Sequence, residues 1–137
     1  PCRRDRPSTR TCLWGELLST AAVARGARGA IVDGYVRDVR QIAEMRFPVF
    51  ATGMKPVDSA GRSVVVEYAT PVACGGVLVH EGDLVVADVD GIVVVPRDVE
   101  DDAIRLALEK VDGENRMRDA IRGGMTLAEA FATHGIL

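Results

Sequence analysis

Cysteine is scarce in this chain: Cys2, Cys12 and Cys74 are odd in number and show no C-x-x-C spacing. That argues against a disulfide framework and against a thiolate zinc site, and it fits a reducing cytoplasm. Cys74 lies in an apolar stretch and reads as a small buried residue. Lysine is scarcer still, with Lys55 and Lys110 alone among 17 basic residues. A Schiff-base mechanism would have to use one of those two, and Lys55 sits beside Pro56 in a loop. The two histidines are far apart in sequence: His80 adjoins a Glu-Gly-Asp turn, and His134 precedes Gly135 where a helix ends. No apolar run approaches the ~18 to 20 residues of a membrane-spanning helix, and no secretory leader is evident. H-E-x-x-H, P-loop, G-x-S-x-G and dinucleotide-binding fingerprints are all missing. A net charge of −3 and a pI near 5.4 argue against a nucleic-acid partner, which needs a basic face.

What is present is apolar and β-branched. The 137 residues are 47% hydrophobic, enough for one domain that buries a substantial core. The charge is uneven: residues 1–12 hold Arg3, Arg4, Arg6 and Arg10 against Asp5, and read as a basic, frayed arm. Residues 13–124 read as the body of the domain and 125–137 as a short C-terminal helix.

Along the chain, the spacing of Leu13, Leu17, Leu18, Ala21 and Ala24 predicts a helix over Trp14–Arg25, ended by Gly26. Gly29–Val32 reads as a short buried strand stopped by an Asp33-Gly34 turn. Asp38–Arg46 reads as a short helix that Pro48 prevents from continuing. Strands are expected at Pro48–Met54, at Ser63–Tyr68, and near Val77–Val79, Leu84–Ala87 and Ile92–Val95, the last three covered on both faces. Asp98–Arg122 reads as helix, with Gly113 able to interrupt it and Gly123-Gly124 closing it. Thr126 to Glu129 has the spacing of a capping box that opens the final helix. The fold class is α/β.

Two segments could carry chemistry. Gly15-Glu16-Leu17-Leu18 opens a helix, where unpaired N–H groups and a partial positive charge can seat a carboxylate. Alternatively, Gly15 is an ordinary N-cap and Glu16 a complement to the dipole. Arg37-Asp38 follows a buried strand, the position where α/β folds place ligands. Arg37 could clamp a carboxylate through two parallel hydrogen bonds, and Asp38 could give Mg²⁺ a hard oxygen ligand. A solvated ion pair would account for the same two residues.

Taken together, WGELLSTAA, GARGAIVDGYVRDV, FPVFATGMKP, PVACGGVLVHEGDLVVADVDGIVVVP and ENRMRDAIRGG, in that order, resemble the 4-hydroxy-4-methyl-2-oxoglutarate aldolases and the related regulator-of-ribonuclease-activity A (RraA-like) proteins. The resemblance implies a swivelling β/β/α-type domain with C-terminal helices, assembled as a homotrimer or hexamer with sites between subunits. It also implies that Gly15, Glu16, Leu17 and Leu18 bind substrate at a helix start. Arg37 becomes the substrate-binding arginine, and Asp38 the ligand of a divalent metal, Mg²⁺ or Mn²⁺. Glu16 would help to hold the water shell of that metal, and Glu114 of a neighbouring subunit would close the site, with Glu109 as the other candidate. The implied activity is metal-dependent cleavage of a small 2-oxo acid to pyruvate, with oxaloacetate decarboxylation through the same enolate. The other branch of the family implies instead a non-catalytic regulator that binds a ribonuclease. Members of this family carry further strands ahead of the WGELL block, so the chain reads as shortened at its N-terminus.

Overall fold

The computed structural model describes residues 8–135. Its elements run β1 (Ser8–Trp14), α1 (Glu16–Ala24), β2 (Ala30–Val36), α2 (Val39–Glu44), β3 (Val49–Met54), β4 (Val72–Cys74), β5 (Val77–Val79), β6 (Leu84–Ala87), β7 (Ile92–Val95), α3 (Glu100–Arg122) and α4 (Leu127–His134). A 3₁₀ turn, Arg97–Val99, leads into α3. The architecture is mixed α/β with C-terminal helices, as expected. Residues 8–12, assigned above to the basic arm, belong to β1; residues 1–7 lie outside the described residues. No helix among the described residues is long and apolar enough to cross a membrane.

The chain divides into two units. The first, the described residues up to 81 with 87–92, is built on a sheet of order β1-β2-β3 whose strands all run parallel. Each parallel step needs a crossover, which α1 and α2 supply. Because the strands are parallel, their carboxyl ends share one edge, and the residues that follow them, Gly15, Arg37 and Lys55, are brought to it. The core of this unit includes Cys12, Val32, Val36, Ile42 and Phe47, all buried. β4 and β5 form an antiparallel hairpin beside this sheet's sequence, joined through Gly75 and Gly76, both at positive φ. The second unit, residues 82–86 with the described residues from 93 on, holds most of β6 and β7 together with α3 and α4. Met117 and Ala130 are buried there.

Four expectations need correction. Asp33-Gly34 is not a turn: β2 runs through it with a shift of register between Val32 and Tyr35 against β3, so the dipeptide marks an irregularity in a strand. A Cβ on Gly34 would lie 2.7 Å from Leu13 Cδ1, so a larger residue there would have to displace the Leu13 side chain on β1. Ser63–Tyr68 forms no strand; Val64, Val65 and Val66 are more than four-fifths exposed, and three β-branched residues in a row do not supply a pairing partner. The short apolar strands are not covered on both faces within this chain, since Val72, Leu78, Val86 and Val93 are all at least half exposed. Finally, α3 runs unbroken for 23 residues through a buried Gly113. The capping box at Thr126 forms as expected, with Glu129 N–H donating to the Thr126 hydroxyl and Thr126 N–H donating to the Glu129 carboxylate.

Candidate active site

β1 passes directly into α1 through Gly15, whose extended backbone turns the chain, and β2 passes into α2 through Arg37 and Asp38. The two junctions are tied together by the backbone, since Arg37 N–H donates to Trp14 O at 3.0 Å. Trp14 and α1 are locked in turn by Ser19, which is fully buried. Its hydroxyl donates to Gly15 O at 3.1 Å and accepts from Trp14 Nε1 at 2.8 Å.

Asp38 occupies the N-cap position of α2 in the left-handed region (φ 58°, ψ 33°), a conformation that Asp tolerates better than most residues. An N-cap aspartate ordinarily accepts from its own helix. This one does not. Its Oδ2 accepts instead from Glu16 N–H at the start of α1 (3.2 Å) and from Arg37 Nη1 (3.0 Å). The carboxylate of one junction therefore satisfies an orphan amide of the other and lies at the positive end of α1. The Leu17 and Leu18 amides, also in the first turn, have no intrahelical acceptor. Asp38 Oδ1 carries no hydrogen bond among the described residues, and the side chain is about one-third exposed.

Arg37 is held at a second point. Its Nη2 pairs with Asp58 Oδ1 at 3.3 Å, on the loop after β3. The Ala60 and Ser59 backbone N–H groups, with the Arg37 guanidinium, keep the Asp58 carboxyl below the usual aspartate range. Lys55 opens the same loop, with its Nζ 5.8 Å from the Tyr35 ring centroid, within cation–π range. A cleft of about 470 Å³ lies at this strand edge, lined by Val36, Arg37, Asp38, Val39, Met54, Lys55, Pro56 and Asp58.

Of the residues singled out from sequence, Gly15, Glu16, Arg37 and Asp38 come together. Leu17 and Leu18 extend the same helix start and are 75% and 49% exposed. The Glu16 carboxylate accepts from the Thr20 hydroxyl at 2.8 Å. Glu114 lies in the second unit, on α3, 3.8 Å from Lys110 Nζ; Glu109, also on α3, pairs with Arg105. Asp58 was missed as a lining residue of this cleft, and Lys55, weighed in sequence only for Schiff-base chemistry, lines it too. Nothing in their local sequence marks them; only the parallel order of the sheet puts their loop beside Arg37.

The donor set can be compared with that of a metal site. Among the described residues no three His, Cys, Asp or Glu side chains cluster as a cage. One carboxylate with an open oxygen, on a partly exposed edge, fits a hard cation that keeps most of its waters and does not fit a zinc-type cage. Cys74 is only half-buried, and desolvation first, then the Asp33 carboxylate, push its thiol up. It is poorly suited to act as a thiolate.

Residues 3–94 match the RraA-like family model, described as Aldolase/RraA. An uncharacterized protein of Methanocaldococcus jannaschii is 37% identical over 122 residues, which span 88% of this chain and 58% of that protein. A protein of Halalkalibacterium halodurans, named "Putative 4-hydroxy-4-methyl-2-oxoglutarate aldolase", is 33% identical over 117 residues, 85% of this chain and 55% of its own length. Among solved structures, Streptomyces coelicolor RraAS2, described as an unusual member of the RNase ES inhibitor RraA protein family, superposes with a TM-score of 0.69 at 37% identity, covering 81% of this chain and 58% of that one. The chain thus spans a little over half the length of these relatives. By the family model and these likenesses, the chain belongs to the RraA-like (Aldolase/RraA) family.

Proposed function

We propose that this chain is a divalent-metal-dependent lyase that cleaves a 4-hydroxy-4-methyl-2-oxoglutarate-type 2-oxo acid to pyruvate, and that the same site decarboxylates oxaloacetate. The observation that carries the reading is the meeting of Arg37, Asp38 and the α1 N-terminus at one strand edge, where Asp38 Oδ2 joins the guanidinium to the Glu16 amide. A helix start and an arginine together suit an anionic substrate, and a carboxylate with an open oxygen suits a cation.

Asp38 would hold Mg²⁺ or Mn²⁺, with waters completing the coordination; when bound, the ion supplies Lewis acidity toward the 2-oxo group. Arg37 and the Leu17 and Leu18 amides bind the adjacent C1 carboxylate and fix the plane of the 2-oxo acid. That orientation aligns the C3–C4 bond with the carbonyl into which its electrons must move. Glu16 accepts the C4 hydroxyl proton through a water as the bond breaks, leaving an enolate and a second carbonyl product. Return of a proton to C3 gives pyruvate. Oxaloacetate loses CO₂ to reach the same enolate, so the site needs no new group. In a homotrimer or hexamer, Glu114 of a neighbouring copy closes the site; the half-exposed apolar strands β4 to β7 favour such assembly.

The test is pyruvate release from 4-hydroxy-4-methyl-2-oxoglutarate and from oxaloacetate. It is expected to stop with a chelator and return with Mg²⁺. Likeness to RraAS2 favours a second reading, a regulator that binds a ribonuclease. Retention of a ribonuclease on the immobilised chain, with no pyruvate from any 2-oxo acid, would establish that reading and sink the first.

A further inference from the structure

Arginine has four rotatable side-chain bonds, and a guanidinium free to swing loses much of its value as a planar clamp. Arg37 is about one-third exposed, so packing alone does not hold it. Its contact with Asp38 fixes one terminal nitrogen, and a single contact leaves the plane of the fork free to rotate. The contact from Nη2 to Asp58 Oδ1 supplies the second point.

Asp58 is itself fixed. Its Oδ1 accepts Ala60 N–H at 3.2 Å, and its carbonyl accepts the Thr11 hydroxyl at 2.7 Å. Thr11 is 2% exposed and lies on β1. One residue on, Cys12 N–H donates to Val57 O at 3.1 Å, and its thiol donates to Lys55 O. The loop after β3 is therefore tied to β1 by three hydrogen bonds, at Lys55, Val57 and Asp58. β1 ends at Trp14, whose carbonyl holds the Arg37 amide. One strand thus fixes both the backbone of Arg37 and the carboxylate that its far nitrogen meets.

We propose that Asp58 is a positioning residue that sets the plane of the Arg37 guanidinium for the substrate carboxylate, an inference that rests on the reading of Arg37 given above. It acts through Arg37 and takes no part in bond breaking. Its loss is therefore felt first in substrate binding, and in the chemical step only as far as the bound 2-oxo acid is left misaligned.

The test compares Asp58→Asn and Asp58→Glu with the wild-type chain, all checked for folding by thermal unfolding. Asp58→Asn keeps the shape and removes the charge. It is expected to raise KM for the 2-oxo acid about 3- to 10-fold with a smaller fall in kcat, as the loss of one partly exposed ion pair implies. Asp58→Glu should recover part of the loss. An unchanged KM in Asp58→Asn would overturn the proposal, and a lower KM would do so by making Asp58 a competitor for the guanidinium. A second readout does not depend on turnover: ¹⁵N relaxation of the Arg37 Nε–H should report a restrained group in the wild type and a mobile one in Asp58→Asn. Equal order in both would also overturn it. If the wild-type chain releases no pyruvate, the functional reading fails, and the relaxation measurement still decides the role of Asp58.

Discussion

Gly15 and Asp38 leave no room for a side chain between them: a Cβ on Gly15 would lie 2.8 Å from Asp38 Oδ2 and 3.2 Å from Arg37 Cγ. Gly15 has an extended backbone that any residue can adopt, so its value is space alone. Gly15→Ala should leave the fold intact and push the Asp38 carboxylate off the Glu16 amide. A misplacement of 1 Å in a positioning group can cost about 10²-fold in rate. We expect pyruvate release to fall by at least about 10-fold on that scale, with a melting temperature near wild type.

Asp38→Asn separates charge from shape. Asparagine tolerates the left-handed backbone at this position and can still accept from the Glu16 amide, so the chain should fold normally. What disappears is the negative charge facing Arg37 and the ionised oxygen offered to a cation. Metal-dependent turnover should fall about 10²-fold or more, and calorimetric titration with Mg²⁺ should lose its binding heat. Full metal-dependent turnover in Asp38→Asn would remove Asp38 from the site.

Ser19→Ala tests the lock beneath the site. Removing the buried hydroxyl leaves Trp14 Nε1 without its acceptor and the Gly15 carbonyl without one donor. A loss of about 1 to 2 kcal/mol in urea unfolding is expected. Trp14 is the only tryptophan in the chain, so a shift in its fluorescence would report the broken contact directly.

Glu129 offers a pH test away from the site. Hydrogen bonds from the Thr126 hydroxyl and then the Thr126 amide hold its carboxyl below the ordinary glutamate range. A pKa lowered on folding gives a contribution that is present above the unfolded value and lost as pH falls through the depressed one. Carbon NMR of the side chain should therefore show Glu129 titrating below the ordinary glutamate range. In Thr126→Ala that midpoint should rise, and the first turn of α4 should fray.

Elements whose boundaries are written in local chemistry were legible in sequence. α2 stops before Pro48 and the box from Thr126 to Glu129 opens α4, each for reasons contained within a few residues, whereas Trp14, expected in the first helix, closes β1 instead. β5, β6 and β7 fall where Glu81-Gly82-Asp83 and Asp90-Gly91 divide the apolar run. The errors arose where a partner decides. Asp33-Gly34 has the composition of a turn but is held in β2 by strands on both sides. Val64–Val66 has the composition of a strand but finds no neighbour to pair with.

The site divides in the same way. Sequence determined that a helix start and an Arg-Asp pair exist, because capping and strand ends are local features, and resemblance gave those segments roles. Only tertiary structure decided that the Asp38 carboxylate turns from its own helix to the amide of another, since that choice depends on two strands ending side by side. It alone brought Asp58 to Arg37 across 21 residues of chain. Parallel pairing aligns strand ends that are distant in sequence, and no local pattern encodes which ends will meet.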